Sequence, residues 1–508
     1  MSNCDLCRLV LKQVERCQEP SPVNVHGVPL CEFWIMKREK GGDGFWVMSL
    51  TDEMNEVAVV AAIGFCVRDG DPLESTIRGR PVEQHGGTLT AMSRVQQWVI
   101  ECDEHPSCSP GETQLPSRVI DVGVSNNSPH GLFGERPARE YVELEHTSDN
   151  LRGQALAFAL PLDEEVNCPD YIFMRKEPLS DRAWCLQERV GSSRTVLYGS
   201  TQLFFECNEG FQGEDGLFLK DRFESVKILE QRSEETEQYR LEDGVNSGRV
   251  SSKKLDILRS WQKLVALYGE RKLTYASDKL PAISGLATVF ARLLDDEYVA
   301  GLWRSHLIEG LLWEGFPRRV QEYRSPSWSW ASTDGRTGLF LTQDHYTDHR
   351  ILAKVLNISV DLKGANPYGE VTNASIEMRA PMERLYIETE GWDPHMEYLF
   401  RMEPKVKTAN GTFKGTRATF DFDWSAEDGP QEVLRIVKSL EGVDTFALIL
   451  AKATMKDGGK DYYGGLIVAK VNSGENYQRL GTISFKNEAL GKKPEERPEG
   501  EFRTIVLI

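Results

Sequence analysis

The sequence predicts an α+β protein built from an N-terminal α/β module, a central helical block and a C-terminal antiparallel β-rich region. Apolar residues recur at helical spacing near the N-terminus and again over roughly 253–315, whereas period-two alternation dominates after residue 338. The chain has 508 residues, which is more than a single hydrophobic core usually accommodates, so we expect two or three domains. We predict domain boundaries that give the segments 1–122, 123–335 and 336–508.

Short patterned segments predict the elements of the N-terminal module. Residues 4–17 and 88–103 each carry one apolar stripe at helical spacing and predict two amphipathic helices. Apolar runs bounded by Gly and charged residues predict strands at 31–36, 45–50 and 57–67. A stretch rich in Gly, Asn, Ser and Pro predicts a linker at 123–150.

The rest of the chain predicts a hairpin, a helical block and a sheet. Residues 194–198 and 202–207 flank a Tyr-Gly-Ser-Thr turn and predict an antiparallel hairpin. In the helical block, Pro281 lies in the first turn of a predicted helix, where its missing N–H is harmless. The alternating runs after residue 338 are separated by Gly, Asn and Asp turns, and they predict an antiparallel sheet, open or closed.

Net charge and cysteine content restrict the classes of function. The chain has 60 basic and 78 acidic residues, and its net charge of −18 disfavours general binding to nucleic acid or to an anionic membrane. No apolar run has the length of a membrane-spanning helix, and the N-terminus lacks the apolar stretch of a signal peptide, so we expect a cytoplasmic protein. Its ten cysteines are then expected to be buried thiols or metal ligands.

Two short groups of cysteine and histidine predict a structural zinc site. Cys4 and Cys7 form a Cys-x-x-Cys pair, and Cys102, His105 and Cys108 follow one another at intervals of three. Zinc that pins two segments is usually bound by such groups, because thiolate and imidazole complete its tetrahedral coordination. We predict Cys4, Cys7, His105 and Cys108 as the ligands, with Cys102 in reserve. The alternative is a set of ordinary buried thiols with a surface histidine.

Three segments carry a resemblance to a known family. They are 177–189 (EPLSDRAWCLQER), 194–199 (RTVLYG) and 202–207 (QLFFEC). Together they resemble the closing motif of the heterokaryon-incompatibility (HET) domain of fungal proteins, in which an Arg-x-Trp-x-Leu-Gln-Glu-Arg run precedes a strand that ends in Glu-Cys. Further stretches resemble the surroundings of that motif, namely 98–108, 115–122, 273–274, 278–287, 298–303 and 323–332.

The chain departs from the HET pattern upstream of this motif. Residues 141–146 (YVELEH) resemble the first HET strand, but no Trp-Gly follows them. The resemblance implies a TIR-like fold, yet only the segment 145–179 separates Leu144 from Ser180. That segment is too short for two further crossover units, since each needs a dozen or more residues besides its strands. We therefore expect a shortened HET-like core without a nucleotide pocket.

Polar residues of the HET-like motif are the candidate catalytic groups. Arg182, Gln187, Glu188 and Arg189 lie on a predicted helix, and Glu206 ends the following strand. An arginine beside a carboxylate can orient a carbonyl group while the carboxylate moves a proton. The alternative is a buried ion-pair network that fixes the helix against the strand.

Three tryptophans are the candidate substrate-binding residues. Trp184 lies within the motif, and Trp328 and Trp330 alternate as in a strand, which would place both indoles on one face. The alternative for these indoles is an ordinary place in the core.

The sequence leaves three functions open. The first is a HET-like fungal protein that recognises a partner in a self/non-self type of response, without hydrolysing a nucleotide. The second is an enzyme of secondary metabolism that cyclises, condenses or rearranges a small molecule on the same scaffold. The third is an NAD-hydrolysing cell-death effector, which the short core disfavours. No Gly-x-Gly-x-x-Gly, Gly-Lys-Ser/Thr, Gly-x-Ser-x-Gly or His-Glu-x-x-His motif occurs, so we predict no nucleotide cofactor.

Overall fold

The structure, a computed structural model, describes most of the chain and divides it into two compact units. The units are Met1–Gln238 and Tyr239–Ile508, called unit 1 and unit 2 below. The described residues are 4–17, 33–37, 42–51, 56–108, 135–148, 151–160, 177–192, 194–219, 252–315, 318–320, 322–339, 346–388, 405–408, 411–412, 419–422, 442–455, 461–471, 474–486 and 502–508. Helices and mostly antiparallel sheets occupy separate segments, so the predicted α+β class is confirmed.

Unit 1 begins with a helix that packs on a five-stranded sheet. Helix α1 spans Asp5–Cys17 and buries Leu9 and Val14 against the sheet. Gln13 adds a buried anchor, since its side chain donates to the carbonyl of Leu160 (2.6 Å) and accepts from the N–H of Ala62 (3.0 Å). The strands are β1 (Phe33–Lys37), β2 (Gly44–Thr51), β3 (Glu56–Val67), β4 (Tyr141–Thr147) and β5 (Arg152–Ala159).

All pairings in this sheet are antiparallel, in the order β1-β2-β3-β5-β4. Strand β4 falls within 123–150, which the sequence predicts as a linker, and that prediction was wrong at this point. Because β4 lies at the sheet edge, most of its side chains face solvent and only Tyr141, Val142 and Leu144 are half-buried. An edge strand of this kind lacks the apolar alternation on which a prediction depends.

The second layer of unit 1 pairs a helix with a four-stranded meander. Helix α2 spans Leu89–Asp103, and its N-terminus is capped by the Thr88 hydroxyl, which accepts from the N–H of Ala91 (3.1 Å). A shorter helix, α3 (Trp184–Gly191), precedes the meander. The meander strands are β6 (Arg194–Tyr198), β7 (Leu203–Cys207), β8 (Gly210–Gly213) and β9 (Phe218–Leu219). The predicted hairpin is therefore confirmed as β6 and β7.

Unit 2 begins with a helical block. Its helices are α4 (Ser252–Gly269), α5 (Ser284–Leu294) and α6 (Leu307–Gly310). Three two-stranded pairs accompany them, with strands β10 (Tyr298–Val299), β11 (Leu302–Trp303), β12 (Trp313–Gly315), β13 (Arg318–Arg319), β14 (Thr333–Asp334) and β15 (Thr337–Leu339). Trp261 of α4 contacts the rings of Phe290, Tyr298 and Trp303, so aromatic packing joins the block.

The rest of unit 2 is a ten-stranded sheet. Its strands are β16 (Tyr346–Ile351), β17 (Lys354–Leu362), β18 (Val371–Glu388), β19 (Lys405–Thr408), β20 (Gly411–Thr412), β21 (Thr419–Phe422), β22 (Thr445–Met455), β23 (Asp461–Lys470), β24 (Asn476–Lys486) and β25 (Phe502–Leu507). The order β22-β23-β24-β25-β18 closes into a ring, because β18 also pairs with β22. The β24–β25 pair is parallel, whereas the other pairs of this sheet are antiparallel.

One buried arginine fixes the sheet to the helical block within unit 2. Arg479 of β24 stacks on the indole of Trp313 at 3.5 Å from the ring centroid. Its guanidinium also donates to the carbonyls of Leu311 and Trp313. The division into 1–122, 123–335 and 336–508 stays a prediction. Among the described residues, no helix is both long enough and apolar enough to cross a lipid bilayer.

Candidate metal centre

Four cysteine and histidine side chains of unit 1 form a compact group. The ligand atoms of Cys102, His105, Cys108 and Cys207 all lie within 4.8 Å of one another. The Nδ1 atom of His105 is 3.7 Å from the Cys108 sulfur and 3.6 Å from the Cys207 sulfur. The three cysteines are buried and the histidine is half-buried. This group, called the Cys3His cluster below, can hold a metal ion.

Local structure places three of the four side chains. Cys102 lies in the last turn of α2, and the chain then makes a tight turn that includes the 3-10 segment Pro106–Cys108. The N–H of His105 donates to the carbonyl of Cys102, and the N–H of Cys108 donates to the carbonyl of His105, both at 3.1 Å. These bonds fold the Cys-x-x-His-x-x-Cys segment so that its side chains converge.

The fourth side chain comes from the meander. Cys207 is the last residue of β7, and it pairs with Arg194 of β6 in the hairpin register. Arg194 also donates to the carboxylate of Asp103 and to the carbonyl of Cys102 (3.4 Å), at the C-terminal end of α2. Carbonyls at a helix C-terminus attract cations, so this arginine aligns the hairpin with the helix end.

Apolar packing holds the two elements of the Cys3His cluster together. Trp98 of α2 stacks on Phe205 of β7, with ring centroids 6.0 Å apart and planes at 27°. The three cysteines of the cluster belong to the same buried core as Ala91, Val196 and Leu203. Burial of these side chains stabilises the helix against the hairpin by about 1.5–3 kcal/mol for each large one. Packing of α2 against β6 and β7 therefore holds the ligand-bearing segments in place.

Crowding with neighbouring thiols raises the pKa values of Cys102 and Cys207. Hydrogen bonding to Cys108 and Cys207, followed by burial, raises the pKa of the Cys102 thiol. The hydrogen bond with Cys102 lowers the pKa of Cys207, but its contact with Cys108 and its burial outweigh that effect and raise the pKa overall. Three thiolates in one buried place repel one another, and a divalent cation is the partner that reverses this cost.

The two nitrogen–sulfur distances in the cluster are close to those around a tetrahedral metal ion. Bonds of about 2.3 Å to sulfur and 2.0–2.1 Å to nitrogen, at tetrahedral angles, separate sulfur from nitrogen by about 3.6 Å. The two distances from His105 to sulfur are 3.6 and 3.7 Å. Three sulfurs and one imidazole nitrogen form one of the donor sets found in structural zinc sites.

Cys4 and Cys7 lie outside the Cys3His cluster. Both stand at the start of α1, where the N–H of Cys7 donates to the sulfur of Cys4 (3.2 Å). Their thiols are also hydrogen-bonded to each other, which lowers the pKa of Cys4 and raises that of Cys7. The structure thus brings the predicted ligands His105 and Cys108 together, and it joins them with Cys102 and Cys207 rather than with the α1 pair.

Two of the five candidate catalytic residues, Arg189 and Glu206, form an ion pair with each other. Arg189 donates to the Glu206 carboxylate at 2.8 Å, and the Glu206 side chain is 2% exposed. Arg182 and Glu188 are exposed, and Gln187 is half-buried. This geometry matches the alternative in which an ion pair fixes the helix against the strand.

The three candidate substrate-binding tryptophans have different surroundings. Trp184 is 41% exposed at the start of α3, whereas Trp328 and Trp330 are buried. The predicted strand at 328–330 was wrong, because a turn leads there into the 3-10 segment Trp330–Ser332, which Ser329 caps. The indole of Trp330 donates to the carbonyl of Gly301 at 2.8 Å and lines a pocket of unit 2.

Sequence patterns missed Cys207 and two buried acids. Cys207 closes the Glu-Cys end of the HET-like motif, and that ending is the one local signal that marks it. Glu214 accepts from the N–H of Leu203 (2.7 Å) and from Arg136 (3.1 Å), while Asp215 accepts from Arg139 (2.7 Å). These acids fasten the meander to neighbouring segments, and no pattern in the sequence distinguishes them from surface acids.

Comparisons of the chain with protein-family models, with curated proteins and with solved structures found no match. The resemblance to the HET domain therefore stays a prediction, carried by the motif residues quoted above. Of the further stretches that resemble its surroundings, 115–122 lies outside the described residues.

Proposed function

We propose that this protein is a HET-like recognition protein whose unit 1 is stabilised by a structural zinc ion, and that it does not hydrolyse nucleotides itself. The observation that carries this proposal is the Cys3His cluster, which includes the last residue of the HET-like motif, Cys207. In the ligand set that we propose, Cys102 and Cys207 take the places predicted for Cys4 and Cys7. Four protein ligands fill the tetrahedral shell of zinc, so no position is left for water or substrate.

The zinc ion would join the two elements that carry the HET-like motif and its surroundings. Three ligands belong to the end of α2 and its following turn, and the fourth ends β7. Such an ion contributes to folding directly, because the ligands are brought together only in the folded chain. Three thiolates survive best in a reducing compartment, which supports a cytoplasmic location.

Recognition without nucleotide hydrolysis is supported by two features of unit 1. Arg189 and Glu206 of the motif form a buried ion pair with each other. In the part of unit 1 that the structure describes, every strand pairing is antiparallel, whereas a TIR-like pocket needs a parallel sheet. A surface for a protein partner is then the simplest use of such a scaffold.

Metal analysis of purified variants tests the zinc site. We expect about one zinc per chain in the wild type, and a loss of most of that zinc in Cys207→Ser, because the serine hydroxyl is a poor zinc ligand. The matched control is Cys4→Ser, which changes a thiol outside the Cys3His cluster and leaves the zinc content unchanged. If Cys4→Ser loses its zinc while Cys207→Ser keeps it, the result would contradict this ligand set and favour the one predicted from the sequence.

Incubation with NAD tests the absence of nucleotide hydrolysis. The purified zinc-loaded protein is expected to release no nicotinamide above the background of buffer. Sustained release that scales with protein concentration would contradict the proposal and would favour a cell-death effector. For the choice between recognition and biosynthesis, polyketide or peptide synthase genes beside this gene would contradict recognition.

A further inference from the structure

A pocket in unit 2 is enclosed by aromatic and aliphatic side chains. Its internal volume is about 50 Å³. Trp261, Trp303, Trp313 and Trp330 contribute their indoles to the wall. The other lining residues are Leu258, Gln262, Val265, Gly301, Leu302, His306, Gly310, Thr337 and Gly338.

Three polar atoms on lining residues have no hydrogen-bond partner among the described residues. They are Nε1 of Trp303, Nδ1 of His306 and Oγ1 of Thr337. All three residues are more than nine-tenths buried, at 3%, 7% and 4% exposure. A buried polar group without a partner costs about 1–3 kcal/mol, so three on one pocket need an explanation.

Two other indole N–H groups of the pocket wall form hydrogen bonds within the protein. Trp313 donates to the carbonyl of Trp328 (2.9 Å), and Trp330 donates to the carbonyl of Gly301 (2.8 Å). Trp303, His306 and Thr337 differ from these two indoles, because each has a buried polar atom that forms no hydrogen bond with the residues that the structure describes.

Charge and size define the occupant. Among the described residues that line the pocket there is no Asp, Glu, Lys or Arg, so an ionised ligand would find no counter-ion on them. The internal volume of about 50 Å³ corresponds to roughly four water molecules, since each needs about 10–15 Å³. Flat apolar walls of indole favour a ring of comparable size.

We propose that this pocket binds a neutral, single-ring aromatic molecule that carries one hydroxyl or carbonyl group. The ring stacks among the tryptophans, and its polar group forms the hydrogen bonds that Trp303, His306 and Thr337 do not form within the protein. This inference is independent of the zinc site and of recognition by unit 1, and either proposal can fail alone.

Titration of the full-length protein with phenol tests the proposal. We expect saturable binding with a Kd of roughly 1 mM or lower, as befits a ligand of about seven heavy atoms. Toluene lacks the polar group and benzoate is charged, so both should bind more weakly than phenol. Fluorine NMR of 4-fluorophenol reports the same binding through line broadening.

Two variants separate binding from a structural role of the lining. Thr337→Val removes an unpartnered hydroxyl at constant shape, so we expect an unchanged or higher melting temperature and about fivefold weaker phenol binding. Gly338→Phe adds a ring to a lining residue and should weaken phenol binding, and a Cβ at this position meets no atom within 4 Å. Gly364→Phe is the matched control, with the same open surroundings away from the pocket.

Three results would contradict this proposal in whole or in part. If phenol binding does not saturate at ~10 mM, ten times the expected Kd, the proposal is overturned. Phenol binding that is as strong in Gly338→Phe as in Gly364→Phe would also overturn it. Equal binding of toluene and phenol, unaffected by Thr337→Val, would overturn the assignment of the polar group. The Thr337→Val result stands even when Gly338→Phe fails to fold.

Discussion

At the scale of single residues, unit 2 depends on a carboxylate that neutralises two buried cations. Asp334 accepts from Lys279 Nζ (3.1 Å) and from Arg324 Nη2 (2.8 Å), and both cationic side chains are at most 2% exposed. Burial alone would raise the pKa of Asp334, but these two cations hold it below the ordinary value of 3.8. The charged form of this aspartate is therefore favoured in the folded protein.

The first prediction follows from that carboxylate. Asp334→Asn keeps its shape and removes its charge, so Lys279 and Arg324 lose their common counter-ion. We expect the free energy of unfolding to fall by about 2 kcal/mol at pH 7, below the 3–5 kcal/mol of a fully buried pair, because Asp334 is partly exposed. Urea unfolding of wild type and variant measures this difference.

The dependence of that difference on pH has a definite sign. Because the folded pKa lies below 3.8, the charged Asp334 stabilises the wild type fully above about pH 4. This contribution is lost as the pH falls through the folded pKa, so the wild type and Asp334→Asn should converge in acid. A difference that stays constant from pH 7 down to the acid-unfolding region would contradict this assignment.

At the same scale, the metal site shows what a sequence can reveal. His105 and Cys108 were predicted because their spacing is local, and Cys102 was held in reserve for the same reason. Cys207 lies about a hundred residues away and reaches the cluster only through the β6–β7 hairpin. Cys4 and Cys7 gave the clearer local signal, but their spacing carries no information about where α1 lies.

At the scale of elements, the Arg189–Glu206 pair fixes α3 to β7. Their atoms are 2.8 Å apart, with side chains 12% and 2% exposed, and the guanidinium also lies 6.0 Å from the ring centroid of Phe211. A pair that is buried this far acts on stability, since removal of one partner leaves the other charge without compensation.

The second prediction is a double-mutant cycle on this pair. Arg189→Met and Glu206→Gln should each lower the free energy of unfolding by about 2–4 kcal/mol, and the double variant by clearly less than their sum. The matched control is the exposed pair Arg304 and Glu297, at 51% and 61% exposure, where little change is expected. Additive losses at Arg189 and Glu206 would show that the pair does not join α3 and β7.

Element prediction succeeded where the segment carries a continuous apolar pattern and failed where contacts with distant segments decide the structure. Helices α1 and α2 and strands β6 and β7 carry continuous apolar patterns, and the structure confirms them. Strand β4 at a sheet edge and the turn at 328–330 depend on neighbours distant in sequence. Closure of the ring through the β18–β22 pair is likewise set by strands far apart in the chain.

At the scale of the whole molecule, zinc should stabilise one unit and not the other. Binding to the folded state alone adds about 4 kcal/mol of stability when free zinc exceeds its Kd a thousandfold. The third prediction is that a strong chelator accelerates hydrogen exchange in α2, β6 and β7. Exchange in β18 and β22 of unit 2 should not change. Equal acceleration in both units would contradict a local structural role for the ion.

X-ray absorption at the zinc edge of the purified protein tests whether a zinc ion is bound by Cys102, His105, Cys108 and Cys207. We expect three sulfur neighbours at about 2.3 Å and one nitrogen neighbour at about 2.0 Å. A shell dominated by oxygen and nitrogen, or a protein that stays folded with no bound metal after metal-replete expression, would contradict this expectation.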